Sequence, residues 1–94
     1  MIDIVHLIWD EWNVAHIARH NVTPQEVEDV CHNEPTENEG YQHRMLLIGS
    51  THNGRMLSLV LAPQGEGVYY PVTARDASRK ERRLYQLKKG GEAA

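Results

Sequence analysis

Tyr69-Tyr70-Pro71-Val72-Thr73-Ala74-Arg75-Asp76-Ala77-Ser78-Arg79-Lys80-Glu81-Arg82-Arg83-Leu84-Tyr85 reads as a strand that empties directly into a basic helix. The first half carries aromatic and β-branched residues, and period-2 alternation puts Val68, Tyr70, Val72 and Ala74 on one face and Tyr69, Pro71, Thr73 and Arg75 on the other. Pro71 has no N–H for a ladder, which predicts an edge, a bulge or a strand end there. Ser78-Arg79-Lys80-Glu81 is a capping box, so the helix starts at Ser78 and is expected to end near Lys89, before Gly90-Gly91. Arg75, Arg79, Lys80, Arg82 and Arg83 place five cations within nine residues, opposed only by Asp76 and Glu81. Such a junction attracts polyanions, although a solvated helix face explains the same composition.

Working outward, two aliphatic runs precede this strand, Arg44 to Ser50 and Arg55 to Ala62. Asn53-Gly54 between them is a strong hairpin signal, and Pro63 to Gly67 supplies the next turn. Residues 33 to 42 hold Pro35, Gly40 and three glutamates without apolar periodicity, which predicts a loop. Upstream, Thr23-Pro24-Gln25-Glu26 combines a cap, a proline at the first helical position and a glutamate at the third, with Val22 and Val27 as a hydrophobic staple. Val27, Val30 and Cys31 form the core stripe of that helix. An earlier helix is capped by Asp10, runs from Glu11 to about His20 and stops at Asn21, a residue that tolerates a left-handed backbone. His6 to Trp9 reads as a first short strand. The expected order is β-α-α-β-β-β-α, a small α+β fold with an antiparallel sheet covered by helices.

Ninety-four residues suffice for a single domain, 1–94 with its core in 6–89, and leave no room for a second domain to bind a cofactor. No cofactor is expected. The amino terminus lacks a basic leader region, and no apolar run reaches membrane-spanning length, so a cytoplasmic protein without a membrane partner is expected. Cys31 is the only cysteine, which excludes an intramolecular disulfide and a multi-cysteine zinc site. The net charge of −3 conceals a polar molecule: residues 1–43 hold nine acids against Arg19, a balance of −8, and residues 44–94 hold nine bases against four acids, a balance of +5.

Trp9-Asp10 with Asn13, His20 at the end of the first helix, the helix around Val22 to Val30, Asn33-Glu34-Pro35, Arg44 with Ile48-Gly49, Gly54-Arg55, and Thr73-Ala74-Arg75 leading to Glu81-Arg82-Arg83-Leu84-Tyr85 follow one another in an order that resembles the BrnT family of bacterial toxins. That resemblance, over nearly everything from Ile8 to Tyr85, implies a RelE-like fold and a toxin of a type II toxin-antitoxin system. It further implies cleavage of RNA that arrests translation, and neutralisation by a cognate BrnA-like, DNA-binding antitoxin, through which an oligomer can form. The chain departs from the family at Asn21, where glycine is usual, and at Tyr70-Pro71-Val72, where the family commonly has arginine and two isoleucines. Tyr70 can stack on a base in place of the missing cation, or the chain can belong to a branch without cleavage.

Metal-independent RNA cleavage requires a base for the 2′-hydroxyl, cations for the crowded phosphate and an acid for the leaving oxygen. Arginine suits the phosphate because its planar fork binds bidentately and stays charged. Arg44, Arg55 and Arg75 lie at or beside strand ends and are expected to converge there, unless they are held by the acidic segment from Glu34 to Glu39. His20 or Tyr70 would move protons, although His20 also suits a helix C-cap. Arg79, Lys80, Arg82, Arg83 and Lys88 would grip the RNA backbone. His16 and His20 have metal-binding spacing but no third ligand, and no metal site is assigned. Glu81 reads first as a capping residue, and Trp9, Trp12 and Tyr85 as core anchors. The competing reading is an inactive module that uses the same basic surface to bind an antitoxin-like partner or nucleic acid.

Overall fold

Thr23 accepts the Glu26 N–H on its hydroxyl while the Glu26 carboxylate takes the Thr23 N–H, so the most local of the sequence signals folds as read. In the computed structural model, which describes residues 4–93 and side chains up to residue 90, this box opens α2 (Pro24–Cys31), preceded by β1 (His6–Leu7) and α1 (Glu11–Ala18). Asn21 adopts φ 59°, Asn21 N–H reaches the Ala18 carbonyl at 3.0 Å, and Val22 N–H reaches Ile17 at 3.2 Å. That is a Schellman-type stop, and it delivers Val22 into the core beside Val27.

Four more strands follow: β2 (Thr36–Glu39), β3 (Met45–Ser50), β4 (Met56–Gly65) and β5 (Val68–Asp76), and then α3 (Arg79–Ala93). They form one five-stranded sheet in the order β1-β5-β4-β3-β2. The α+β class holds, with three corrections. Thr36-Glu37-Asn38-Glu39 is an edge strand paired with β3 rather than loop; half its backbone faces outward, so it needs no apolar alternation. The sheet is mixed, because β1 runs parallel to β5, with His6 opposite Val68 and Leu7 opposite Tyr69. The last helix also continues past Lys89 through both glycines.

Leu47, Leu57, Leu59, Leu61 and Ala74 turn to one face of the sheet, where they meet Ile17, Val22, Val27 and Val30 of the first two helices. Gly49 lies on that face too. A Cβ there would stand 3.0 Å from the Pro35 Cβ and 3.2 Å from Val30 Cγ1, so the glycine is what lets α2 and the following segment approach β3. The opposite face, carrying Ile48 and Ser58, lies under α3, which packs on β3 and β2. The sheet is therefore sandwiched between two helical layers.

Pro71 is fully buried and Ala74 is next to be so, three residues on. The register explains this, since Leu61 faces Pro71 and Val60 faces Thr73, which leaves Val72 as the extra residue of a bulge. The alternation read from the sequence is thus broken at Val72: Tyr69 and Pro71 face the core before it, and Ala74 after it.

Candidate active site

Ser58 stands opposite Arg75 in the β4–β5 ladder, so both side chains leave the sheet on the α3 side. The capping box at Ser78 then fixes the first turn of α3 above them: Glu81 N–H donates to Ser78 Oγ at 3.1 Å, and Ser78 N–H donates to Glu81 Oε1 at 2.8 Å. The same carboxylate reaches back to the sheet. It takes a bidentate pair from Arg75, Nη1 at 2.8 Å and Nη2 at 2.9 Å, and the Ser58 hydroxyl at 3.1 Å. Burial pushes the Glu81 carboxyl up, but Arg75, the Ser78 amide and Ser58 outweigh it and hold it at about 2. Arg75 is correspondingly pushed up by its bonds to Glu81. In the same first turns of α3, Arg79, Lys80, Arg82 and Arg83 are exposed, and none makes an ion pair among the described residues.

Asp76, one residue on, stands opposite core-facing Leu57, and its carboxylate accepts from Arg55 Nε at 2.9 Å on the α2 side. Arg55 Nη1 also donates to both oxygens of Glu26 at 3.0 Å and to the Asn21 carbonyl at 2.7 Å, and Nη2 donates to the His20 carbonyl at 3.3 Å. Arg55 thus closes the α1–α2 elbow onto the end of the sheet. Its bonds to Asp76 and Glu26 raise its pKa; burial pushes the Glu26 carboxyl up, but the Thr23 N–H and then Arg55 outweigh it and hold the group low.

The expected convergence of three arginines is only partly found. Arg55 and Arg75 both touch Asp76, the first through the carboxylate and the second through the backbone carbonyl at 3.1 Å, but they leave opposite faces of the sheet. Their carboxylate partners are Glu26 and Asp76 for Arg55 and Glu81 for Arg75, rather than the expected glutamates of the segment from Glu34 to Glu39. Arg44 stands at the other end of the strands: Met45 pairs with Leu61, whereas Ser58 and Arg75 pair near Ile48, on the order of 16 Å away at strand spacing. It lines a shallow groove with Glu37, Asn38, Glu39, Met45 and Lys88. Lys88, expected on RNA, donates to the Glu37 carbonyl and ties α3 to the edge strand.

Tyr70 precedes Arg75 by five strand positions, about 16 Å. Its hydroxyl donates to Asp10 at 3.1 and 3.0 Å, and desolvation followed by that carboxylate pushes the phenol up. His20 meets the arginine network through its backbone; its ring is exposed and edge-on to His16, 6.0 Å between centroids. His16 in turn stacks on Trp12 at 4.8 Å and 7°. Trp12 is 57% exposed, so it is not the core anchor expected of it: it lies on the solvent side of α1, one position from buried Asn13. Trp9 does pack against the core, with its Nε1 donating to Glu28 at 3.2 Å. Tyr85 is half-buried, with the Lys89 ammonium 5.7 Å from its ring centroid.

Two participants escaped the sequence reading. Ser58 carried no local signal, because only the β4–β5 register brings it to Glu81. Glu26 was legible as a cap and not as the partner of Arg55, which lies 29 positions away. The chemistry available at the β5–α3 junction is electrostatic: a fixed guanidinium fork, a carboxylate, a hydroxyl and, along the first turns of α3, exposed cations. Among the described residues no three His, Cys, Asp or Glu side chains are grouped to hold a metal ion, and no helix is long and apolar enough to cross a membrane.

No family model matches the chain, and no curated protein matches it. Among solved structures it is similar to the ribonuclease toxin BrnT of Brucella abortus, with a TM-score of 0.64 over 79% of this chain and 97% of that one. Identity is 21%. The chain therefore has the BrnT fold, in agreement with the resemblance seen in its motifs.

Proposed function

We propose that this protein is a BrnT-like toxin of a type II toxin-antitoxin system, acting in the cytoplasm as an endoribonuclease. The observation that carries the reading is the union of the BrnT fold with an exposed arginine fork at the β5–α3 junction, followed in α3 by four exposed cations that make no ion pair among the described residues. Arg75 binds a phosphate bidentately, and Arg79, Lys80, Arg82 and Arg83 follow the RNA backbone. Cleavage on this reading needs no metal: the guanidinium offsets charge on the phosphate, and proton transfer falls to side chains near it. Arg55 serves the scaffold, since Glu26, Asp76 and two carbonyls occupy its fork. A DNA-binding, BrnA-like antitoxin would neutralise the toxin by covering the basic helix, and the assembled oligomer would form through it.

A second reading has its own support. Both well-placed arginines already hold carboxylates, and Tyr70 stands where the family commonly has a cation. On that reading the chain binds the antitoxin-like partner or nucleic acid without cutting. Induced expression in a bacterium separates the two. Arrested protein synthesis with shortened transcripts, relieved by Arg75→Ala, is expected of the toxin; unimpaired growth with intact transcripts would favour the binding module.

A further inference from the structure

We infer that Glu81 sets the affinity of Arg75 for a phosphodiester, because its carboxylate occupies the anion site of the guanidinium and has to leave before a phosphate enters. The inference rests on the RNA-binding reading above and names what regulates that site. A carboxylate accepting Nη1 and Nη2 in parallel uses the same two donors that a phosphate would use. The fork is reachable: the Arg75 side chain is 45% exposed, whereas Glu81 beneath it is 15% exposed. Exchange replaces one anion with another, so the guanidinium stays paired throughout. What is lost is local, the Ser58 hydroxyl and the Ser78 amide bonded to Glu81. The Ser78 bond closes the α3 cap and the Ser58 bond ties that turn to β4, so phosphate entry loosens the turn that carries Arg79, Arg82 and Arg83 and lets those cations follow the backbone of the ligand.

Glu81→Gln isolates the effect, since glutamine also completes a capping box but carries no charge to hold Arg75. The probe is a short fluorescent 2′-O-methyl RNA oligonucleotide, which cannot be cleaved through its 2′ position. The full chain, Glu81→Gln, Arg75→Ala, the double variant and Ser58→Ala are titrated with it. Glu81→Gln is expected to bind about tenfold more tightly, Arg75→Ala more weakly, and the double variant no more tightly than Arg75→Ala alone. Ser58→Ala, which loosens the carboxylate from its other side, is expected to move affinity in the same direction by less. No gain for Glu81→Gln, an equal gain with and without Arg75, or no binding by any variant would overturn the inference. Unmodified RNA run in parallel keeps the two readings apart: RNA left intact by every variant, with the Arg75-dependent gain preserved, would remove the nuclease reading and leave this one standing.

Discussion

Asn13 donates its side-chain amide to the carbonyl of Pro71 at 3.2 Å, across 58 positions of sequence, at the point where β5 bulges. The same amide reaches Ile8 at 2.9 Å, and Asn13 Oδ1 accepts the Asp10 N–H at 2.9 Å while Asp10 caps the Asn13 N–H. One fully buried side chain therefore joins the end of β1, the start of α1 and the irregular stretch of β5 that leads to Arg75. Asn13→Ala leaves the Ile8 and Pro71 carbonyls without this donor and breaks half the cap, so it is expected to destabilise the fold by about 2–3 kcal/mol. Urea unfolding with an unchanged m-value checks this.

Arg55 makes a different kind of joint. Arg55→Ala is expected to cost about 2 kcal/mol, discounted for a side chain that remains partly exposed to screening solvent. Arg55→Lys should recover little of that, because a single ammonium cannot serve Glu26, Asp76 and the His20 and Asn21 carbonyls together. Thermal melts of the two variants, set beside RNA binding, distinguish a scaffold residue from a ligand-binding one: stability should fall in both while the RNA affinity of the folded fraction holds.

Cys31 is expected to be inert in the folded protein. Desolvation, helped by the nearby Glu28 carboxylate, pushes its thiol up to about 12. Reaction with a thiol reagent at neutral pH should be slow in the native state and become fast in denaturant. Equal rates would show that α2 opens freely.

Acid should release the β5–α3 junction. The Glu81 carboxyl is lowered from 4.5 to about 2 on folding, so the folded state binds its proton more weakly than the unfolded chain does. Its contribution, roughly 3 kcal/mol before screening, is fully present above pH about 4.5 and is lost as the pH falls toward 2. Glu81→Gln should flatten the stability profile in that window. A variant as acid-sensitive as the parent would place the acid transition elsewhere.

What the sequence made legible was local. The Thr23–Glu26 and Ser78–Glu81 boxes, the left-handed Asn21 and the Gly54 turn each depend on residues within a few positions, and all fold as read. Thr36 to Glu39 was opaque because an edge strand earns its place from β3, its one neighbour, and not from its own composition. The Pro71 bulge was foreseen as one of three outcomes, yet its consequence, the change of face after Val72, required the register. The site suffered most. Arg44, Arg55 and Arg75 all lie near strand ends, but sequence does not reveal which end or which face, and the fold separates them on both counts.

The most direct test is incubation of the purified chain, free of any antitoxin, with end-labelled RNA in excess chelator, beside Arg75→Ala. The account predicts discrete cleavage by the parent and none by the variant. RNA left intact by the parent, or cut equally by both, would contradict a ribonuclease built on the β5–α3 junction.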